Sequence, residues 1–430
     1  MSDVKQEDFE LVTDALTDFF NHATQSKNFN LSELTDFMEK IFKQTGYREL
    51  SENLQNNILI MHDYAVGDFI LITGVIREIR RLYPYAHITL MVHPCALSMA
   101  ECCPYVDEVI LYDADYKNRN DIAQFYQPAL KSARELLKRR IDVCFAFTNY
   151  ADSAFLMYIS GAKTRIVRQF PKSSDVYESY AHFSNIVIPL SFVHNADCFM
   201  FFVECILHAR VFNRELEAWF TPYDVNVAKK FLAENTLPTY ALCMGSTSLR
   251  RHYPPEKYAA LVEMILSDEN ATFVILGGGH EDLKSAKIFK KALTKNYLDN
   301  IIDLTNKLTY RQSAALLSLC DMYIGNDTGV MHAAAAVKCP VLTPNCCGAD
   351  LPHQELRIVQ CCSPYRVPSV VVQPAHALPE CDANKPYDTF GCREKIPHCI
   401  TQIEPQTLFK GFKILQERIS QNLFEPIYIS

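Results

Sequence analysis

Short apolar runs alternate along most of the chain with longer stretches in which apolar residues return every three to four positions. Ile58–Met61, Ile88–Val92, Val109–Leu111 and Val143–Phe147 have the length and continuity of strands buried on both faces. Between the first two, Ile72, Val75, Ile76 and Ile79 trace one face of a helix that starts at Gly67-Asp68. Strand and helix alternating at this spacing predict a parallel sheet covered by helices. A helix over 192–210 closes this first series. The pattern resets between Pro222 and Pro238, and a second series begins with Tyr240–Met244, Thr272–Leu276, Ile301–Asp303 and Met322–Ile324. Ahead of both, residues 1–55 carry two amphipathic stripes, one through Phe9, Leu16 and Phe19-Phe20, the other through Leu34, Phe37 and Ile41-Phe42. They predict a helical extension that docks on the first domain.

In the second series the strands end in turn-forming, glycine-bearing stretches: Gly245-Ser246-Thr247-Ser248, Gly277-Gly278-Gly279 and Gly325-Asn326-Asp327-Thr328-Gly329. Ligands of open α/β sheets bind at the carboxyl ends of the strands, so these turns are the first place to look for a site. In the last of them, Gly325 and Asn326 are expected to relieve a tight backbone, with Asp327 or Thr328 capping the helix that follows. The amides of that helix's first turn make an anion site, and the four alanines Ala333–Ala336 allow it to lie close against a sheet or a ligand.

Composition narrows the class without naming it. At 430 residues the chain exceeds one compact core, and 49% apolar with 21% charged residues describes an ordinary globular protein. A net charge of −8 speaks against nucleic-acid binding, and no apolar stretch is long enough to span a membrane. The polar, acidic start is no signal peptide, so a cytoplasmic protein is expected. Sixteen cysteines, many in strand-like runs, then read as reduced and buried thiols. Cys361, Cys362, Cys381, Cys392 and Cys399 lack the C-x-x-C spacing of a structural metal site, so no metal is expected there.

The residues Asp327-Thr328-Gly329, His332 and Ala334–Ala336 resemble the D-[ST]-G-x-x-H-x-A-A-A signature of glycosyltransferase family nine, the lipopolysaccharide heptosyltransferase family. Four further stretches are similar to that family in the same order: Gly67-Asp68 with Tyr83–Ile88, Pro104–Ile110, Ser153–Arg168, and Met244–Pro254. The resemblance covers roughly residues 57 to 410. It implies a GT-B fold, two Rossmann-like domains facing a cleft. On that reading residues 56–222 form the acceptor-side domain, and residues 223–430 form the nucleotide-sugar-binding domain with a C-terminal helix. It further implies inverting transfer of a sugar, most often heptose from ADP-heptose, without a divalent metal. The acceptor would be a hydroxyl of a bacterial glycan, lipid-linked glycan or protein, the lipopolysaccharide core being the leading case. No cofactor is expected beyond the nucleotide-sugar co-substrate, and an oligomer is compatible with the sequence.

Inverting transfer needs a base on the acceptor hydroxyl and positive charge for the departing diphosphate. Asp68 matches the family's aspartate after the first strand and is the expected base, although a helix cap would account for it equally by position. Gly245, Ser246, Thr247, Arg250 and Arg251 form the expected donor loop, joined by Asp327, Thr328, Gly329 and His332; Lys257 adds a cation nearby. Arg251 stands where the family usually has lysine, which keeps the charge and adds a bidentate fork. Gly278, Gly279 and Glu281 are expected at the base and ribose. Two departures stand out: the acidic residue shifted to Glu281, and Asn345-Cys346-Cys347-Gly348 in place of a Gly-Pro-Thr-type turn. The rival readings are a GT-B nucleotide-sugar epimerase and a binding scaffold without turnover.

Overall fold

The structure, a computed structural model, describes residues 57–113, 122–147, 151–168, 182–188, 194–207, 210–232, 235–350, 359–378 and 397–430, with Asp36, Glu39, Lys40 and Lys43. The two helices expected in residues 1–55 otherwise lie outside the described residues. From that stretch, Glu39 accepts a hydrogen bond from the Tyr158 hydroxyl at 3.0 Å. Among the described residues no helix is long and apolar enough to cross a membrane.

The chain divides into two compact units. In the first, strands β1 (Asn57–His62), β2 (His87–Val92), β3 (Glu108–Leu111), β4 (Val143–Ala146), β5 (Thr164–Arg168) and β6 (Ile186–Ile188) form one parallel sheet in the order 3-2-1-4-5-6. Ile58, Leu59, Ile60 and Met61 are wholly buried, as their unbroken apolar run requires. The helix expected after Gly67 is broken in two, α1 (Val66–Leu71) and α2 (Thr73–Leu82). Thr73 turns its hydroxyl onto the Ile70 carbonyl at 2.8 Å, and the following Gly74 is a weak helix former, so the break falls where side chain and propensity both favour it. The Pro104–Ile110 stretch has a structural meaning. Asp107 accepts from the Ile88 amide at 2.7 Å and from Arg80 at 2.5 Å, and Arg80 also donates to the Tyr105 and Ala86 carbonyls. These bonds lock α2 to the entries of β2 and β3. Helices α3 (Ile122–Lys138) and α4 (Ala151–Ile159) follow on either side of β4. The helix expected over 192–210 is α5 (Asn195–Leu207), its start fixed by His194, whose Nδ1 accepts from the Ala196 amide at 3.1 Å.

The second unit takes in α6 (Pro222–Leu232), β7 (Thr239–Cys243), α7 (Pro255–Asp268), β8 (Thr272–Leu276), α8 (His280–Ala292), β9 (Ile301–Asp303), α9 (Tyr310–Leu317), β10 (Met322–Gly325), α10 (Gly329–Ala336), β11 (Val341–Pro344), β12 (Ser369–Val372), α11 (Pro405–Ser420) and β13 (Ile427–Ile429). Among the described residues its seven strands are all parallel, in the order 13-12-11-10-7-8-9. Tyr240 of β7 sets its ring edge-on to Phe273 and Phe412, each with centroids 5.5 Å away, which ties the sheet to α11. The strand order reverses between β7 and β10. A reversal leaves the space above those two carboxyl ends open, and that is where ligands bind in such sheets.

Candidate active site

The two strands at the reversal deliver the Gly245 and Asp327 turns side by side. Gly325 is required there by proximity: a Cβ at that position would lie 2.3 Å from the Cys243 carbonyl oxygen. Its φ, like that of Asn326, is negative, so the backbone relief expected of this pair is not what they supply. Asn326 instead joins the turns through its side chain. Fully buried, it accepts from the Tyr253 amide at 3.2 Å and the Tyr258 hydroxyl at 2.8 Å, and donates to the Met244 carbonyl at 2.5 Å. Asn326 was missed as a positioning residue because its partners are 68 to 82 positions away. An asparagine between two turn formers, preceded by a run of buried positions, was the available signal.

Thr328 occupies the N-cap of α10, but neither it nor Asp327 caps the helix with its side chain. The Thr328 hydroxyl is buried and meets no hydrogen-bond partner among the described residues. The first-turn amides behind it, from Gly329 onward, therefore have no side-chain acceptor from the N-cap, the arrangement that favours an anion. Beside them Arg251 holds Nη1 at 3.4 Å from the Asp327 carboxylate and 3.5 Å from its carbonyl oxygen. Ser246 bonds the His252 ring on one side, and its hydroxyl takes the Ser248 amide at 3.2 Å on the other. Thr247 is exposed, and Arg250 is half-buried in the same loop. The structure thus brings Gly245, Ser246, Thr247, Arg250, Arg251, Asp327, Thr328 and Gly329 into one neighbourhood of the second unit. Lys257 is engaged elsewhere. Its ammonium bonds the Thr401 and Ile403 carbonyls and pairs with Glu404 at 2.9 Å, so it fastens α7 to the segment before α11.

The glycine turn after β8 lies next along the sheet. Gly279 adopts φ 102°, a backbone that a side chain would strain, and its amide donates to Asn306 Oδ1 at 2.7 Å. Gly278 donates to Asp282 at 2.9 Å. Asp282 lies against both Gly245 and Gly277, closely enough that a Cβ on either would collide with its carboxyl group. Burial raises the pKa of that carboxyl, while the Gly278 amide and His252 pull it down. Glu281 stands one position earlier on the exposed face of α8, 3.4 Å from His280. The two acidic neighbours thus divide the work: Asp282 shapes the turn from inside, and Glu281 faces solvent. Sequence alone could not assign the two roles, because the phase of α8 depends on where the glycines end.

His332, one turn into α10, is buried, with its Nδ1 lacking a hydrogen-bond partner. Burial lowers its pKa to about 4; the Asp327 carboxylate opposes this, and His194 and Arg251 add to it. The ring is neutral near pH 7. Its ordinary pKa of about 6.5 applies in the unfolded chain, so the unfolded state binds the extra proton first as pH falls. Stability is therefore complete above pH 6.5 and is lost progressively toward pH 4, by at most about 1.4 kcal/mol per pH unit from this group. Urea titrations at pH 7.5 and 5 should show a shallower pH dependence for His332→Gln than for the parent chain. Equal slopes would remove His332 from this account.

In the first unit, Asp63 and Asp68 after β1 and Asp152 in α4 are three carboxylates with different surroundings. Asp63 is wholly buried and accepts from the Ser153 hydroxyl. Asp152, also buried, accepts from the Tyr112 hydroxyl at 2.6 Å. Asp68, in the first turn of α1, is half-buried and lies near Cys95, whose thiol pKa it helps to raise after burial itself. Of these three aspartates it is the one that is partly exposed. Of the late cysteines, Cys399 is buried and accepts from the Leu378 amide at 3.3 Å, while Cys361 and Cys362 are half-buried. Cys381 and Cys392 lie outside the described residues. Among the described residues, no three His, Cys, Asp or Glu side chains are grouped to hold a metal ion.

The profile of glycosyltransferase family 9 (heptosyltransferase) matches residues 129–343, half of the chain. A lipooligosaccharide heptosyltransferase 2 from Haemophilus influenzae is 29% identical over 119 residues, a match spanning 26% of this chain and 34% of that protein. Among solved structures, a glycosyl transferase of family 9 from Veillonella parvula DSM 2008 superposes with a TM-score of 0.67 at 18% identity, covering 86% of this chain and 99% of that one. The E. coli ADP-heptose lipopolysaccharide heptosyltransferase II gives 0.63 at 17% identity over 85% and 99%. The two parallel α/β units are those of a GT-B fold.

Proposed function

Because the chain belongs to glycosyltransferase family 9, we propose that it is an inverting, metal-independent glycosyltransferase using a nucleotide-sugar, with ADP-heptose the leading donor. The acceptor is a hydroxyl of a bacterial glycoconjugate such as the lipopolysaccharide core. Residues 223–430, within the second unit, take the donor, and the domain of residues 56–222 takes the acceptor. The observation that carries this reading is the meeting of Arg251 with the Asp327 turn at the side-chain-uncapped start of α10. That combination suits a diphosphate: amides and a guanidinium gather on one anion, and Asp327 keeps the guanidinium oriented. The names of the relatives support heptose and ADP as the chemistry to test first.

In the reaction, the acceptor oxygen attacks the anomeric carbon from the face opposite the diphosphate. The new C–O bond forms as the bond to the diphosphate oxygen breaks, and configuration inverts. Asp68 takes the hydroxyl proton. The charge developing on the diphosphate is met by Arg250, Arg251, the Gly245-Ser246-Thr247 loop and the amides at Thr328-Gly329, with His332 behind them. Gly278, Gly279 and Glu281 receive the base and ribose.

Arg251→Ala should weaken ADP binding about tenfold or more, in keeping with the loss of a charge-assisted contact of roughly 1.5–3 kcal/mol. Isothermal calorimetry measures this directly; unchanged affinity would move the diphosphate away from this loop. Turnover should persist in EDTA. Loss restored by Mg²⁺ or Mn²⁺ would overturn metal independence.

A further inference from the structure

Strands β7, β8 and β9 run side by side, Cys243 against Leu276 and Ile275 against Asp303, so the turns at their carboxyl ends are neighbours. The middle turn is Gly277-Gly278-Gly279. Glycine-rich turns often cradle phosphate with their amides. Here the amides are already spent: Gly278 donates to Asp282 Oδ2 at 2.9 Å, and Gly279 donates to Asn306 Oδ1 at 2.7 Å. The Gly277 carbonyl is taken too, by the Asn306 amide at 2.9 Å. Paired donors offer a diphosphate nothing, so this turn is left to the uncharged part of a donor. The anion belongs to the Gly245 loop and the start of α10.

The two bracing residues differ in reach. Asn306, at φ 60°, sits in a left-handed conformation that asparagine tolerates better than most residues, and it braces the middle turn from the β9 side. Asp282, in the first turn of α8, braces the same turn and also lies against Gly245. A Cβ on Gly277 would come to 2.5 Å from its carboxyl carbon, and one on Gly245 would collide with Oδ1. One side chain thus touches both the diphosphate loop and the nucleoside turn.

We propose that Asp282 is a positioning residue of the donor pocket: it fixes the Gly245 loop against the Gly277-Gly278-Gly279 turn, so that diphosphate and nucleoside are met at one set spacing. This deepens the donor reading given above and rests on it. The role needs no contact between Asp282 and the ligand. With the spacing set before binding, a nucleoside diphosphate engages both turns without the cost of ordering them. A nucleoside monophosphate reaches the turn but brings no second phosphate to the loop, so the tie favours the diphosphate.

The test uses the full chain and begins without ligand. In Asp282→Ala, amide hydrogen exchange read by mass spectrometry should rise about tenfold or more at residues 245–248 and at residues 277–281, as expected for loss of a hydrogen bond to a charged group. Asn306→Ala should raise exchange at 277–281 and leave 245–248 unchanged. Asp282→Asn, which keeps the shape and an oxygen for Gly278, should leave both turns closed. Gly245→Ala reads the tie from the other side, whether or not Asp282→Ala folds: it displaces Asp282 and should raise exchange at 277–281. Unchanged exchange at 245–248 in Asp282→Ala, or at 277–281 in Gly245→Ala, would overturn the inference.

Calorimetry with ADP and AMP then reads the role. In Asp282→Ala the ADP-to-AMP affinity ratio should fall by about three- to tenfold, the factor that ordering a loosened side chain on binding costs. Asn306→Ala should weaken both nucleotides alike and keep the ratio, and Asp282→Asn should keep it as well. An unchanged ratio in Asp282→Ala, with both turns loosened, would reduce Asp282 to a brace of the fold and overturn its positioning role. If the parent chain binds neither nucleotide, the donor reading fails, and exchange alone decides whether Asp282 ties the two turns.

Discussion

Asn326→Ala should lower the stability of the protein by about 3–5 kcal/mol, among the largest costs expected of a single polar substitution. The side chain bonds the Met244 carbonyl, the Tyr253 amide and the Tyr258 hydroxyl. All four residues are at most 2% exposed, so water cannot replace the lost partner without opening the core. An unsatisfied buried polar group costs about 1–3 kcal/mol, and this change leaves three. Asn326→Asp separates the contributions: it keeps the acceptor for Tyr253 and Tyr258 but loses the donor to Met244 and buries a charge. Both variants should lower the urea midpoint, and both should weaken ADP binding, because Met244 leads into the Gly245 loop and Asn326 into the Asp327 turn. A change in stability below about 1 kcal/mol for Asn326→Ala would mean that the two turns hold their positions independently of this residue.

That expectation also shows where the sequence was readable. The strands were legible because each is a buried apolar run bounded by turn residues, and Ile58–Met61 or Thr272–Leu276 fit no other element of that length. The site turns were legible for a related reason: glycines cluster where strands hand over to helices, and the topology brings those ends together. What could not be read were bonds between residues far apart in the chain. Asn326 reaches back to Met244, Asp282 fills the space between Gly245 and Gly277, and Asn306 holds Gly279. Lys257 illustrates the reverse case. By position it belonged with the donor-loop cations, but its partners Thr401, Ile403 and Glu404 come from the far end of the chain. Local pattern assigns charge to a region, while tertiary contacts decide which charge is available to a ligand. The break between α1 and α2 has a third origin: the apolar face runs on through Ile72, and the interruption is marked by the Thr73 hydroxyl bond to Ile70 together with Gly74.

Asp68→Asn should leave the fold and ADP affinity in place and lower turnover by about 10²–10⁴, the usual worth of a positioned general base. Two readings of Asp68 differ here by magnitude. As an acidic residue in the first turn of α1, it stabilises the helix dipole by roughly 0.3–1 kcal/mol, and asparagine recovers part of that. A loss of that size moves a melting curve slightly and leaves the chemistry alone. As a base it contributes about 2.7–5.5 kcal/mol to the barrier, at 1.36 kcal/mol per factor of ten. The neighbouring carboxylates cannot substitute for it. Asp63 is wholly buried and taken by Ser153, and Asp152 is buried and taken by Tyr112. The decisive measurement is single-turnover transfer of heptose from ADP-heptose to a lipopolysaccharide-core acceptor, run beside calorimetry with ADP. A rate fall with intact ADP binding assigns the proton to Asp68. A rate within about threefold of the parent, far short of a general base's usual contribution, would return Asp68 to the helix and leave the acceptor hydroxyl without a base on the first unit.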